Sequence, residues 1–243
     1  VFRDGNFNYF VASNLGYDVA KFRYERRTAS VLVVSGAIPF GMKEQCLTAR
    51  PIDSLELQSC AGVGQPKLME AYDIGLKLGY GRYSQEKGLD LRLLTSQVLP
   101  TYHQLGNTAE RRNIVAILLS YANQGIIPLV NYNDGVDSTE VTRDNDTLAA
   151  RIAKALSADR LVILTDVDGL LDADGSLIRR VREIDDNTKA LCNNNGNGTG
   201  GMLTKLEAAN LLLKEGIPTI IGNTKYGLLE LIENERIRTI FTK

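Results

Sequence analysis

Tryptophan is absent, histidine occurs once, and the 243 residues hold three cysteines, three methionines and six prolines. Each scarcity excludes something. With His103 alone, no relay of two imidazoles can exist, and the residue reads as structural or surface polar. Cys46, Cys60 and Cys192 are odd in number and far apart, which argues against a disulfide frame and against a zinc site. They read as reduced, buried or half-buried thiols of a cytosolic protein. No Ser-His-Asp arrangement and no metal-ligand spacing emerges, so no metal site is assigned. No apolar run reaches the roughly 18 residues that suggest a membrane span. The opening VFRDGNFNYFVASN lacks the basic start, apolar centre and small-residue cleavage site of a secretory leader, and it lacks an initiator Met. A formal net charge of −1, with 23% charged residues and no basic tract, gives no reason to expect nucleic acid or a membrane surface as partner.

What is present is an alternation of apolar runs and helical patterns. SVLVVSGAIPFG (30–41), LRLLTSQVL (91–99), IIPLVN (126–131), LVILTD (161–166) and IPTIIGN (217–223) read as buried strands, each running into small or polar residues. Between them lie helical patterns. LELQSCAGVGQPKLMEAYDIGLKLGY (55–80) reads as one helix, or two pieces kinked or broken at Pro66. NTAERRNIVAILLSYANQG reads as a helix with Thr108 at its start and Gly125 as its stop. NDTLAARIAKAL and TKLEAANLLLKEG read as two more, and the tail ERIRTIFTK supplies a short last strand. This order predicts βαβ units, hence an α/β fold: a three-layer α/β/α sandwich around a mainly parallel central sheet. No repeat or linker interrupts it, so one domain over 1–243 is expected. In such sheets ligands gather beyond the carboxyl ends of the strands. That rule selects Ser35-Gly36, Asn131 to Asp134, Thr165-Asp166 and Gly222-Asn223.

The stretch NNNGNGTGGMLTKLEAA (193–209) is the most conspicuous. Gly196, Gly198, Gly200 and Gly201 precede Lys205, and glycine-rich backbone before a helix can cradle phosphate. It is not a Walker A motif, because Met202, Leu203 and Thr204 separate the last glycine from the lysine. Nor is it a dinucleotide fingerprint, since no clear strand leads into it and no acidic residue stands in the required position downstream. The segment 193–201 reads as a mobile loop. Lys205, near the start of the following helix, sits where the macrodipole disfavours a cation unless an anion intervenes. Elsewhere, DNDTLAA (144–150) places Asp144, Asn145 and Asp146 at a helix start, where capping alone would explain them. With VNYND (130–134) they form a polar cluster suited to a zwitterionic small molecule or a metal-phosphate complex.

Taken in order, SGAI at 35, AGVGQPKLMEAY at 61, NTAERRNIVAIL at 107, IIPLVNYND at 126, DNDTLAA at 144, VILTDVDGL at 162 and GTGGMLTKLEAA at 198 resemble the glutamate 5-kinase family of the amino-acid-kinase fold. The resemblance implies ATP-dependent phosphorylation of the side-chain carboxylate of L-glutamate, the first step of proline synthesis, with ATP and Mg²⁺ as cofactors. Carried over by motif, Ser35, Asp134 and Asn145 would hold glutamate. Thr165, Asp166 and the segment Thr199, Gly200, Gly201, Met202, Leu203, Thr204 and Lys205 would contact the nucleotide. Lys205 would stabilise the transferring phosphoryl group, and Asp146 would orient the cations. Within that scheme Asp134 would pair with the substrate ammonium and Asn145 would donate its amide to the α-carboxylate. The resemblance further implies a homo-oligomer (dimer or tetramer), a cytoplasmic location and a glutamyl phosphate reductase as consumer of the product. On charge and hydropathy no nucleic-acid or membrane partner is expected, and the PUA module that follows the kinase domain in many bacterial members of the family is not seen.

Four positions depart from the family pattern, one of them Asp4, a carboxylate where the family has an apolar residue. Where it begins with a K-x-G-S strand, the best match here is RDGN, which puts Arg3 in the place of the phosphate-contacting lysine. Tyr132 replaces an acidic residue, and Arg143 stands where glycine is usual. Two other readings therefore fit the same residues: a catalytically impaired homologue serving as a regulatory or ligand-binding subunit, and a kinase of another small carboxylate or phosphate acceptor.

Overall fold

In a computed structural model of the chain, which describes residues 2–3, 6–136, 144–194 and 199–243, the backbone separates into two units, Val1–Asn145 and Asp146–Lys243. The first unit opens with β1 (Phe2–Arg3) paired antiparallel to β2 (Asn6–Phe7). Asp-Gly lies between them in the sequence, the dipeptide that favours a two-residue hairpin connection. The strand bearing Arg3 pairs with β2 in a two-stranded sheet of its own.

Helix α1 (Tyr9–Arg26) follows, capped by the Asn8 side chain, which accepts from the Val11 N–H at 3.2 Å. Then come β3 (Leu32–Val33), α2 (Ala37–Glu44), α3 (Ser54–Glu86), β4 (Leu94–Val98), α4 (Tyr102–Gly106), α5 (Thr108–Gln124) and β5 (Ile126–Val130). The strands form a parallel sheet in the order β3-β5-β4. The apolar run IIPLV takes the central place because it can bury both faces, and four of its five residues are buried. Edge position leaves β3 only two residues long, shorter than its apolar run suggested. Helix α5 stops at Gly125 as expected, but its cap is Asn107, whose side chain accepts from Ala109 and Glu110 N–H, and not Thr108.

Helix α3 runs 33 residues without interruption, so no break occurs at Pro66. Proline inside a helix removes one backbone hydrogen bond and costs about 3 kcal/mol. The offset is burial: Leu57, Cys60, Ala61, Leu68, Ala71, Tyr72, Leu76 and Tyr80 all lie below one-tenth exposure. α3 packs against both α1 and α2 along this face.

The second unit continues α6 (Asn145–Leu156), whose first residue belongs to the first unit. It adds β6 (Leu161–Thr165), β7 (Arg180–Val181), α7 (Asp186–Asn194), α8 (Thr199–Lys214), β8 (Thr219–Asn223), α9 (Leu228–Glu233), a 3-10 turn at Glu235–Ile237 and β9 (Arg238–Phe241). The sheet order is β6-β8-β9-β7, with β6-β8 and β7-β9 parallel and β8-β9 antiparallel. Ala150 and Ala153 from α6, Ile163, Ile221 and Phe241 from the strands, and Leu206, Ala209 and Leu212 from α8 form its core.

Candidate functional site

In the first unit the polar candidates follow the carboxyl ends of parallel strands. Ser35 is exposed just beyond β3, and Gly36 at φ 122° turns the chain into α2, a backbone conformation open to glycine and little else. Asn131, Tyr132, Asn133 and Asp134 follow β5. The first two are 2% exposed, and Asn131 and Asn133 donate their N–H groups to Val98 and Pro100 carbonyls, both at 3.2 Å. Asn145 joins this group, because its Nδ2 donates to the Val34 carbonyl at 3.1 Å. One amide hydrogen of Asn145 is therefore engaged at the strand end before Ser35, a role the substrate scheme did not include.

A cavity of about 200 Å³ lies beside these residues, lined among others by Gly62, Gln65, Gln97, Tyr132, Asn133 and Asp134. It suits a small polar ligand rather than a large one. Burial pushes the Asp134 carboxyl up to about 6, because a carboxylate removed from water loses solvation. A bound ammonium would supply that compensation.

In the second unit the central feature is an ion pair. Lys205 Nζ donates to Asp146 Oδ2 at 2.8 Å, with the side chains 16% and 17% exposed. Asp146 lies in the first turn of α6, where the dipole favours an anion. The glycine-rich reading needs correcting here. Asn193 and Asn194 end α7, and Thr199, Gly200 and Gly201 already form the first turn of α8, so the expected loop over 193–201 is helical at both ends; Gly196 and Gly198 lie outside the described residues. Each glycine in a helix costs about 1 kcal/mol relative to alanine. Burial of Leu206, Ala208, Ala209, Leu212 and Leu213 outweighs this and extends the helix backward. Lys205 thus stands almost two turns inside α8, and the anion that offsets its charge is Asp146.

The same extension changes which backbone amides can face a phosphate. Only the first four N–H groups of a helix lack an intrahelical acceptor. Among the described residues these belong to Thr199, Gly200 and Gly201, whereas those of Met202, Leu203, Thr204 and Lys205 lie farther in. The Thr204 hydroxyl donates to the Gly201 carbonyl at 3.0 Å.

Thr165 and Asn223 stand opposite each other at the ends of β6 and β8. Thr165 donates its hydroxyl to Asp166 at 3.1 Å. Asn223 Nδ2 donates to the Asp166 carbonyl at 2.8 Å and to Asp168 Oδ1 at 2.9 Å. Lys225 pairs with Asp168 at 2.7 Å and, with Asn223, holds that carboxyl below the usual range. Asp168 and Lys225 escaped the sequence reading, although the polar run TDVDG (165–169) beyond an apolar strand was a usable signal. Arg3 is described only as part of β1, and Arg143 lies outside the described residues. His103 is exposed on α4. Gln65 was also missed, and its signal was present: it interrupts the apolar stripe Leu57, Ala61, Leu68, Tyr72 on one face of α3.

Against known proteins, the Amino acid kinase family matches residues 11–223. A glutamate 5-kinase of Symbiobacterium thermophilum is 36% identical over 235 residues, which cover 93% of this chain and 85% of that protein. A glutamate 5-kinase of Carboxydothermus hydrogenoformans is 36% identical over 221 residues, covering 87% of this chain. The match spans only 56% of that second protein's length. Among solved structures, carbamate kinase from Giardia lamblia bound to AMP-PNP superposes with a TM-score of 0.60 at 18% identity, over 95% of this chain and 88% of that one. At such identity the likeness is one of fold: α/β, with parallel pairing dominant. Among the described residues no helix is long and apolar enough to cross a membrane.

Proposed function

The chain belongs to the amino acid kinase family, and on that premise we propose that it transfers the γ-phosphoryl group of ATP to the side-chain carboxylate of L-glutamate, giving glutamyl 5-phosphate and ADP. The observation that carries the reading is the sequestered Lys205–Asp146 pair. Two charges this far out of water add little net stability, so the pair is better explained by the anion it is built to meet. The named glutamate 5-kinase relatives support the choice of acceptor.

The chemistry asks little of the inventory beyond what is present. The glutamate side chain, with a reference pKa of about 4.3, is already an anionic nucleophile at neutral pH. No general base is needed, and one exposed histidine is no handicap. A carboxylate oxygen forms the new bond to γ-phosphorus while the bond to the β,γ-bridging oxygen breaks. Catalysis is then positioning and charge stabilisation. Lys205 would leave Asp146 for the transferring group, and the first-turn amides of α8 would donate to phosphate oxygens. Thr165 and Asp166 would contact the rest of the nucleotide. Asp134 would hold the substrate ammonium, and Ser35 with Asn145 would border the acceptor.

Asp146 fits a magnesium ion, since a carboxylate at a helix start is a hard oxygen donor and Lys205 already shows that it attracts a cation. Bound there with ATP, the ion would neutralise triphosphate charge. We place the protein in the cytoplasm as a homo-oligomer, with the labile acyl phosphate passed to a reductase such as glutamyl phosphate reductase.

A coupled ADP-release assay with ATP, Mg²⁺ and L-glutamate tests the reading. Glutamate-dependent turnover is expected, with aspartate and N-acetylglutamate much poorer acceptors. Nucleotide binding without such turnover would leave a non-catalytic homologue.

A pH profile adds a second test. Burial raises the Asp134 carboxyl to about 6, and only its ionised form pairs with an ammonium. kcat/KM for glutamate should therefore fall about tenfold per pH unit below that point. Asp134→Asn should weaken glutamate and remove this limb of the profile. The stability sign is opposite: a raised folded-state carboxyl binds more protons than the unfolded chain, so the unliganded fold loses stability as pH rises from about 4 to about 6. A profile flat through this range would remove Asp134 from substrate binding.

A further inference from the structure

Gln65 occupies the wall of the Asp134 cavity and is held there by one bond. Asn131 Nδ2, itself on a residue 2% exposed, donates to Gln65 Oε1 at 2.8 Å. That bond orients the amide and leaves its other end, Nε2, buried without a hydrogen-bond partner among the described residues. An amide donor removed from water and left unpaired is costly, by about 1–3 kcal/mol, and native structures rarely keep one without a use. The neighbouring Asp134 has the complementary problem of a desolvated carboxylate. One ligand answers both: a group with a cation for Asp134 and an acceptor for Gln65.

We propose that Gln65 is a substrate-recognition residue whose Nε2 donates to the α-carboxylate of the amino-acid acceptor while Asp134 takes its ammonium. The assignment rests on the phosphotransfer reading above. The α-carboxylate and ammonium share one carbon, so their partners must line the same small cavity, as Gln65 and Asp134 do. The side-chain carboxylate is the wrong choice for a buried donor, because it must stay open to the triphosphate. Asn145, the residue assigned to the α-carboxylate by motif, has one amide hydrogen committed to Val34, whereas Gln65 commits neither to a described residue. Gln65 thereby selects acceptors that are α-amino acids over those with a single carboxylate.

The test uses Gln65→Met, which keeps length and removes the donor, and three probes measured by calorimetric titration without nucleotide. L-Glutamate has all three groups, glutarate lacks the ammonium, and 4-aminobutyrate lacks the α-carboxylate. Loss of a hydrogen bond to a charged group predicts about 10- to 100-fold weaker L-glutamate binding. Glutarate should weaken by a similar factor and 4-aminobutyrate by less than about twofold. In turnover, KM for glutamate should rise with KM for ATP unchanged. Gln65→Glu, which retains the oxygen facing Asn131 and sets a second carboxylate beside the first, should weaken L-glutamate further; it serves the same comparison should the Met variant not fold. Equal weakening of 4-aminobutyrate, or unchanged L-glutamate binding, overturns the proposal alone. Failure of the unaltered protein to bind L-glutamate overturns the functional reading and the proposal together.

Discussion

Lys205→Ala is expected to lower kcat by about a thousandfold, since one preorganised donor to developing charge is worth 10²–10³ and a full cation more. KM for glutamate should stay within about threefold, because the contact strengthens only as the phosphoryl group transfers. The ion pair complicates this test in a useful way. Removing Lys205 takes from Asp146 the cation held at 2.8 Å, and breaking a partly buried ion pair destabilises the fold. A lower Tm would therefore accompany the lost activity and could be mistaken for its cause. The double variant Lys205→Met with Asp146→Asn separates the two: it should recover most of the Tm and none of the turnover. Lys205→Arg keeps the charge but not the compact ammonium, and should recover stability with only a small fraction of the rate. Turnover retained in Lys205→Ala, or restored in the double variant, would remove Lys205 from the chemistry.

The history of that lysine shows what the sequence could and could not reveal. Apolar runs such as IIPLV and LVILT announced their strands because burial on both faces leaves a contiguous signature, and the parallel register followed from the helices between them. Gly125 and the residues after β3, β5 and β6 were legible for the same reason, since turns and strand ends are local chemistry. The partner of Lys205 was not legible: Asp146 lies 59 residues away, and no spacing rule connects an α6 first turn to the second turn of α8. Without that partner, a cation near a helix start suggested an external anion, and the glycines suggested a loop. The core contacts of Leu206 and Leu212 overrode the glycine penalty, which is a tertiary effect. Pro66 failed as a helix breaker for the same reason. Gln65 was visible as a polar break in an apolar stripe, but the orientation of its amide depends on Asn131, which follows a strand end distant in sequence.

Gly64→Ala is expected to damage substrate binding without touching substrate. A Cβ at Gly64 would fall on the Ala37 carbonyl and the Gly41 N–H, both backbone atoms of α2, so no flexible side chain can yield. The helices must separate, and overpacking of this kind costs about 1–3 kcal/mol. The direction of the shift matters more than its cost. α2 begins at Ala37, directly after Ser35 and Gly36, and α3 carries Gly62 and Gln65 on the cavity wall. Moving α2 off α3 therefore displaces the strand-end turn relative to the cavity, and misplacement of about 1 Å can cost 10²-fold in rate. KM for glutamate should rise at least tenfold while KM for ATP holds, since the Lys205–Asp146 pair lies in the other unit. The control is Gly81→Ala on the same helix, where an added Cβ meets nothing within 4 Å. There the gain in helix propensity should stabilise by about 0.5–1 kcal/mol and leave both KM values alone. If Gly64→Ala matched Gly81→Ala in Tm and in KM for glutamate, the close approach of α2 to α3 would have no part in holding Ser35 at the acceptor site.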